Sequence, residues 1–264
     1  MFIESAFYKM PELLLNEKVS NIYEASVRNI LSLSFLLEFN SRNTSNPMER
    51  IKLEKEYANM RKRKFKCDLF LDLEGLYDKV RHAHLGLSEK NWFEIKYFGG
   101  KGRSKGSVAK TGNVGKILND ILRLCLCIKE LQGNIRENER FLICVFNDQP
   151  EKYLPKLKKD LWLNQMLESG IRNIAIDFKS LQNSSKKRIK FQIPYNLFKI
   201  KLSIDTKSFY PIGKSENLNF YGFLIKIFGF ELQIDDIILK YSDFGSWDKK
   251  KVDLFDRIRK KLNF

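Results

Sequence analysis

Two stretches of strictly alternating residues constrain this chain most, because a period of two is satisfied by an extended strand with two distinct faces. In FKCDLFLDLE (65–74), Phe65, Cys67, Leu69, Leu71 and Leu73 share one face, and Lys66, Asp68, Phe70, Asp72 and Glu74 share the other. In WFEIKYF (92–98), Phe93, Ile95 and Tyr97 point one way and Trp92, Glu94, Lys96 and Phe98 the other. The first run predicts a strand with one buried face. Two strands this near in sequence are expected to pair as neighbours.

Helical patterns surround them. Residues 11–38 read as one long helix with apolar residues at three- and four-residue steps, and NSRNTSNP (40–47) stops it. The charge-dense segment 48–64 reads as a second helix, and 75–90 as a polar connection. NVGKILNDILRLCLCIKELQ (113–132) predicts an apolar helix capped by Asn113 and ended by Gly133-Asn134. FLICVF (141–146) is a continuous apolar run, as a central strand covered on both faces requires. A helix over 151–169, a strand over 171–178, a β-rich stretch over 188–241 and a basic tail helix, WDKKKVDLFDRIRKKL, complete the chain. The order predicts an α/β fold with a central mixed β-sheet flanked by helices: a core over 1–180, and a β-rich C-terminal extension over 181–264 packed on it.

The 264 residues carry a formal net charge of +16, with a pI near 9.6. A chain this basic is expected to meet a polyanion, of which nucleic acid is the usual one; an anionic membrane surface is the rival. The most apolar run, ILSLSFLLEF (30–39), is far shorter than a membrane-spanning helix and carries Glu38. The first residues lack the basic leader and apolar block of a secretion signal, so a cytoplasmic location is expected. Cys67, Cys125, Cys127 and Cys144 have no paired metal-site spacing and read as reduced, buried thiols.

The strands suggest a chemistry. Glu94 and Lys96 lie on one face, and Asp68 lies on the polar face of the preceding strand. Paired strands would gather the three at one end of the sheet. Two carboxylates, with the Ile95 carbonyl as a third oxygen, suit Mg²⁺, a hard cation that keeps waters for itself and for phosphate oxygens. Such an ion polarises a phosphodiester and lowers the pKa of an attacking water, and Lys96 would orient that water or neutralise charge on the phosphoryl oxygens. The plainer alternative is an ion pair on a half-exposed strand, worth under about 1 kcal/mol.

CDLFLD (67–72), followed further along by WFEIKYF, resembles the signature of the PD-(D/E)XK nuclease superfamily, to which many type II restriction endonucleases belong. The resemblance spans about residues 11–147 and includes the helix before the signature and the helix and strand after it. It matches Asp68 to the first acid, Glu94 to the second and Lys96 to the lysine; Cys67 stands where the signature has a variable proline. It implies a restriction-endonuclease-like core, Mg²⁺-dependent hydrolysis of double-stranded DNA leaving a 5′-phosphate, and a homodimer when both strands of a symmetric site are cut. It also implies an acid from the first helix, for which Glu24 is the candidate and Glu17 nearly as good. A repair or mobile-element nuclease of the same fold is the nearest alternative. A non-catalytic nucleic-acid-binding protein is the alternative from another class.

The segment 99–112 holds Lys101, Arg103, Lys105 and Lys110 among glycines, with no acid. Directly after the strand of Glu94 and Lys96, it is expected to lie along a DNA backbone and neutralise phosphates. The β-rich extension has room to read bases or to dimerise. His82 and His84 form an H-x-H pair that no further ligand pattern completes, so they read as a surface loop.

Overall fold

The computed structural model describes residues 2–16, 22–57, 65–76, 88–99, 110–128, 137–155, 161–191, 193, 198–210, 220–241 and 248–262. Its N-terminal part is two helices, α1 (Phe2–Leu15) and α2 (Glu24–Ser41), where the apolar spacing predicts one over 11–38. In α1, Phe2, Ile3, Ala6, Phe7, Met10 and Leu14 recur at helical steps and are buried, and Pro11 lies inside the helix. The segment after α2 is not the predicted helix: a 3₁₀ turn at Pro47–Arg50 leads into a short strand, β1 (Ile51–Leu53), and Glu56 bridges Lys66.

β2 (Leu69–Asp72) pairs with β3 (Lys90–Phe98), as expected of the two alternating stretches; the pairing is antiparallel, and β2 also pairs antiparallel with the unpredicted β1. α3 (Lys110–Leu126) then crosses over to β4 (Asn138–Phe146), which is parallel to β3. Asn113 does not cap α3. It sits within the helix, and its Nδ2 donates to the Tyr153 carbonyl at 3.0 Å. Every residue of β4 is buried, as expected of a central strand. A 3₁₀ turn at Pro150–Lys152 and a short helix α4 (Leu161–Leu167) stand in the region predicted as one helix over 151–169.

β5 (Gly170–Asp177), α5 (Asn183–Lys186), β6 (Phe198–Phe209), β7 (Tyr221–Ile234), β8 (Ile237–Tyr241) and α6 (Lys249–Lys261) follow. Among the described residues the strands form one eight-stranded sheet, ordered β1-β2-β3-β4-β7-β6-β5, with β8 also on β7. The pairing is mostly antiparallel, and β3–β4 is the parallel exception. The protein is therefore a mixed α/β fold whose sheet is flanked by helices, and strands from both halves of the chain share that sheet.

Both faces of the sheet are covered. Leu69, Leu71, Phe93, Ile95, Ile143 and Val145 pack with α1 and α2. Phe70, Trp92, Phe98, Leu142, Cys144 and Phe146 pack with α3 and the C-terminal elements. The one-sided burial predicted for 65–74 is thus replaced by burial on two sides, with Cys67 in the α3 layer and Leu69 and Leu71 in the other. The four cysteines are free and buried. None of the described helices is long and apolar enough to cross a membrane.

Candidate active site

The site lies where β2 begins and β3 runs on past it. The β2–β3 register starts at Leu69 opposite Phe93, and the Cys67 N–H instead donates to the Lys55 carbonyl at 2.9 Å. The edge of β3 beyond Phe93 would lose its partners there. Asp68 takes over one of them: its Oδ2 accepts the Ile95 N–H at 2.7 Å. Its other carboxylate oxygen, Oδ1, accepts no hydrogen bond among the described residues.

Two residues after Glu94 on the same face, Lys96 reaches across this gap. Its Nζ lies 3.0 Å from Asp120 Oδ2 of α3 and 3.2 Å from Glu24 Oε1 at the first residue of α2, and it donates to the Ile95 carbonyl at 3.1 Å. Its side chain is only 12% exposed. Burial alone would lower its pKa; Asp120, Glu24 and Asp68 outweigh that and hold it above the ordinary value, so the ammonium stays charged. Glu24 shows the converse. Desolvation by burial raises its pKa, Lys96 pulls it down, Asp68 and Asp120 push it up, and the net direction is upward.

Glu94 is fully buried and differently occupied. Its Oε1 accepts from the Tyr57 hydroxyl at 2.5 Å, and its Oε2 pairs with the Arg123 guanidinium of α3. Arg123 also donates to Asp120 Oδ1 at 2.6 Å and to the Lys66 carbonyl at 3.2 Å. Burial, and then Asp120, raise the Glu94 pKa against the pull of Arg123. Glu94 and Lys96 therefore do not pair with each other; each has its own partners.

The structure brings Asp68, Lys96 and Glu24 into one charged cluster, with Glu94 buried beside it, and adds Asp120 and Arg123 from α3 and Tyr57 from the segment after β1. The sequence reading missed all three additions. Asp120 and Arg123 left a signal, since an acid and a base three residues apart interrupt an otherwise apolar helix and share its face. Tyr57 left none, because its segment reads as a charged helix.

Among the described residues no three of His, Cys, Asp or Glu stand close enough to cage a metal ion. Mg²⁺ needs less, commonly one or two carboxylates plus waters and substrate oxygens. The Oδ1 of Asp68 is a donor of that kind; the buried Oδ2 of Asp120, 3.0 Å from the Lys96 ammonium, would have to give up that ion pair to serve as one. Glu94 does not fit while both its oxygens are taken. The Ile95 carbonyl accepts from Lys96, so it is a shared oxygen.

Lys110 opens α3 and does not lie in the glycine-rich loop; its Nζ donates to the Glu151 carbonyl at 2.7 Å. Lys101, Arg103 and Lys105, and the pair His82 and His84, lie outside the described residues. Compared with known proteins, the chain matches no family model, no curated protein and no solved structure.

Proposed function

We propose that the protein is a Mg²⁺-dependent endonuclease that hydrolyses phosphodiester bonds in double-stranded DNA, of the type II restriction kind. The observation that carries this reading is the seat of Lys96. One buried ammonium stands among Glu24, Asp68 and Asp120 at the open end of a strand pair, and such a concentration of charge in a covered position is characteristic of functional sites, although structural ion-pair networks share it. The order of elements supports it as well. With the short strand β1 interposed, a helix (α2), two strands (β2, with Asp68 just before it, and β3, bearing Glu94 and Lys96), a helix (α3) and a strand (β4) come in the order the PD-(D/E)XK resemblance expects.

In this reading Asp68 and the acids around Lys96 would hold Mg²⁺, which supplies Lewis-acid polarisation of the phosphate and a water of lowered pKa. Asp68 is held rigid by the Ile95 N–H. Lys96 places its charge beside the phosphoryl oxygens as they gain charge, and Glu24, half exposed, orients that ammonium. The net charge of +16 favours approach to the DNA backbone, with Lys101, Arg103, Lys105 and Lys110 as phosphate contacts. Cutting both strands at a symmetric site calls for a homodimer.

The test is a digest of plasmid and phage DNA with and without Mg²⁺. Discrete fragments that need Mg²⁺ support site-specific cutting. An unselective smear would favour a repair or mobile-element nuclease. Intact DNA across a broad set of substrates, bound but never cut, would favour the non-catalytic binder.

A further inference from the structure

We propose that the segment 183–190, docked on α3, is a second DNA-backbone surface, on which Lys187, Arg188 and Lys190 take phosphates beside the Lys96 cluster. The proposal rests on the DNA partner of the nuclease reading and gives that partner a contact surface outside the glycine-rich loop.

Two stretches of the chain hold no acid. Residues 95–119 carry six Lys or Arg and residues 178–204 carry seven, with no Asp or Glu in either. Together they supply thirteen positive charges to a chain whose net charge is +16. They are distant in sequence, and the fold joins them where α5 meets α3. The Ser184 hydroxyl donates to Thr111 Oγ1 at 2.7 Å, and the Ser185 hydroxyl to the Thr111 carbonyl at 2.8 Å. The Lys190 N–H donates to Asn119 Oδ1 at 3.0 Å. Between these bonds the chains touch closely: a Cβ on Gly115 would meet the Ser185 carbonyl oxygen at 2.2 Å and the Arg188 Cβ at 2.8 Å. The joint runs from Thr111 to Asn119, about 12 Å of helix at 1.5 Å per residue. It ends one residue before Asp120, whose carboxylate pairs with Lys96.

Burial turns the cations outward. Ile189 and Phe191 are buried in the layer that contains α3, while Lys187, Arg188 and Lys190 are exposed. Their backbone is already fixed, so less order remains to be imposed on binding. Elsewhere on the surface cations meet acids, as Lys152 meets Asp148, Arg172 meets Glu168 and Lys201 meets Glu231. Lys187 and Arg188 form no ion pair among the described residues. A face that is only solvated mixes both signs, whereas one of a single sign draws an anion. Each strand of a duplex offers a phosphate about every 3.4 Å along its axis, which suits a row of this length. Among the described residues of the segment no large apolar side chain is exposed, as a face that enters a bilayer would require.

Fluorescence anisotropy of a labelled duplex in EDTA, over a range of salt, tests the surface without calling for cleavage. Replacing Lys187 and Arg188 together with Ala should weaken binding and flatten the slope of log affinity against log salt by about 1.8, at about 0.9 per lost contact. Replacing Lys249 and Lys250 of α6 with Ala removes the same charge elsewhere and should change the slope by less than about 0.5. All four side chains are exposed, so both proteins should fold; if the first pair does not, Gln replaces Ala at the same positions. An unchanged slope for the Lys187 and Arg188 pair overturns the proposal. Equal flattening by the two pairs overturns it too, since net charge alone would then act. A wild-type chain that binds vesicles of phosphatidylserine and phosphatidylcholine but no duplex overturns the proposal and the DNA reading together. A duplex bound with the expected loss of slope, yet never cut in Mg²⁺, upholds the surface and removes the nuclease reading.

Discussion

The carboxylate of Asp68 accepts the backbone N–H of Ile95 at 2.7 Å, and this bond stands in for the strand pairing that β3 loses where β2 begins. Asp68 thus has a structural and a chemical duty on different oxygens. Asp68→Asn keeps an acceptor for Ile95, whereas Asp68→Ala orphans a buried N–H and should cost about 1–2 kcal/mol more in urea unfolding. Both should lower cleavage by orders of magnitude while metal-free DNA binding is retained or strengthened, because a negative charge near phosphate is lost. Equal loss of cleavage and binding in Asp68→Asn would contradict this division of labour.

Salt dependence reads out the loop. If Lys101, Arg103 and Lys105 each touch a phosphate, replacing all three with Ala should flatten the slope of log affinity against log salt by about 0.9 per lost contact. An unchanged slope would remove these cations from the interface.

Glu38 ties α2 to α1. It accepts from Ser5 at 2.7 Å and pairs with Lys9 at 2.5 Å and Arg42 at 3.4 Å. Burial alone would raise its pKa, but these partners outweigh it and hold the pKa below the ordinary 4.5. A depressed folded-state pKa contributes stability that is present above the unfolded value and is lost as pH falls through the folded one. Glu38→Gln should therefore cost about 1 kcal/mol at neutral pH, discounted for the exposure of Lys9 and Arg42. That difference should shrink steadily as pH falls below the ordinary carboxylate value. Urea unfolding of both proteins across this range checks it, and a difference independent of pH would contradict it.

Gly115 lets α3 close on α5. A Cβ there would sit 2.2 Å from the Ser185 carbonyl oxygen. Gly115→Ala should push the two apart at a cost of about 1–3 kcal/mol, read as a melting temperature several degrees lower. An unchanged melting temperature would mean that the contact opens freely.

How much of this was legible in the sequence depends on where each signal sits. The alternation around Leu69–Leu71 and Phe93–Ile95 reports β2 and β3 locally, and FLICVF reports β4, because burial stamps its period on consecutive residues. β1 is hidden, since its residues are partly or fully exposed at the sheet edge and it is embedded in the charge-dense segment 48–64. α1 carries a helical apolar pattern of its own from Phe2 on, which the helix predicted over 11–38 misses. Asp68, Glu94 and Lys96 were readable as a constellation because two paired strands deliver them. The partners of Glu94 were not, because Tyr57, Arg123 and Asp120 reach it through contacts between distant segments.

The central claim is most directly tested by single-turnover cleavage with Lys96→Met. The substitution keeps most of the apolar stem and removes the charge that faces Asp120 and Glu24. If Lys96 acts on the transition state, the cleavage rate should fall by orders of magnitude, with DNA affinity little changed and a melting temperature within a few degrees of wild type. A folded Lys96→Met protein, free of contaminating nuclease, that cleaves at the wild-type rate would contradict the account.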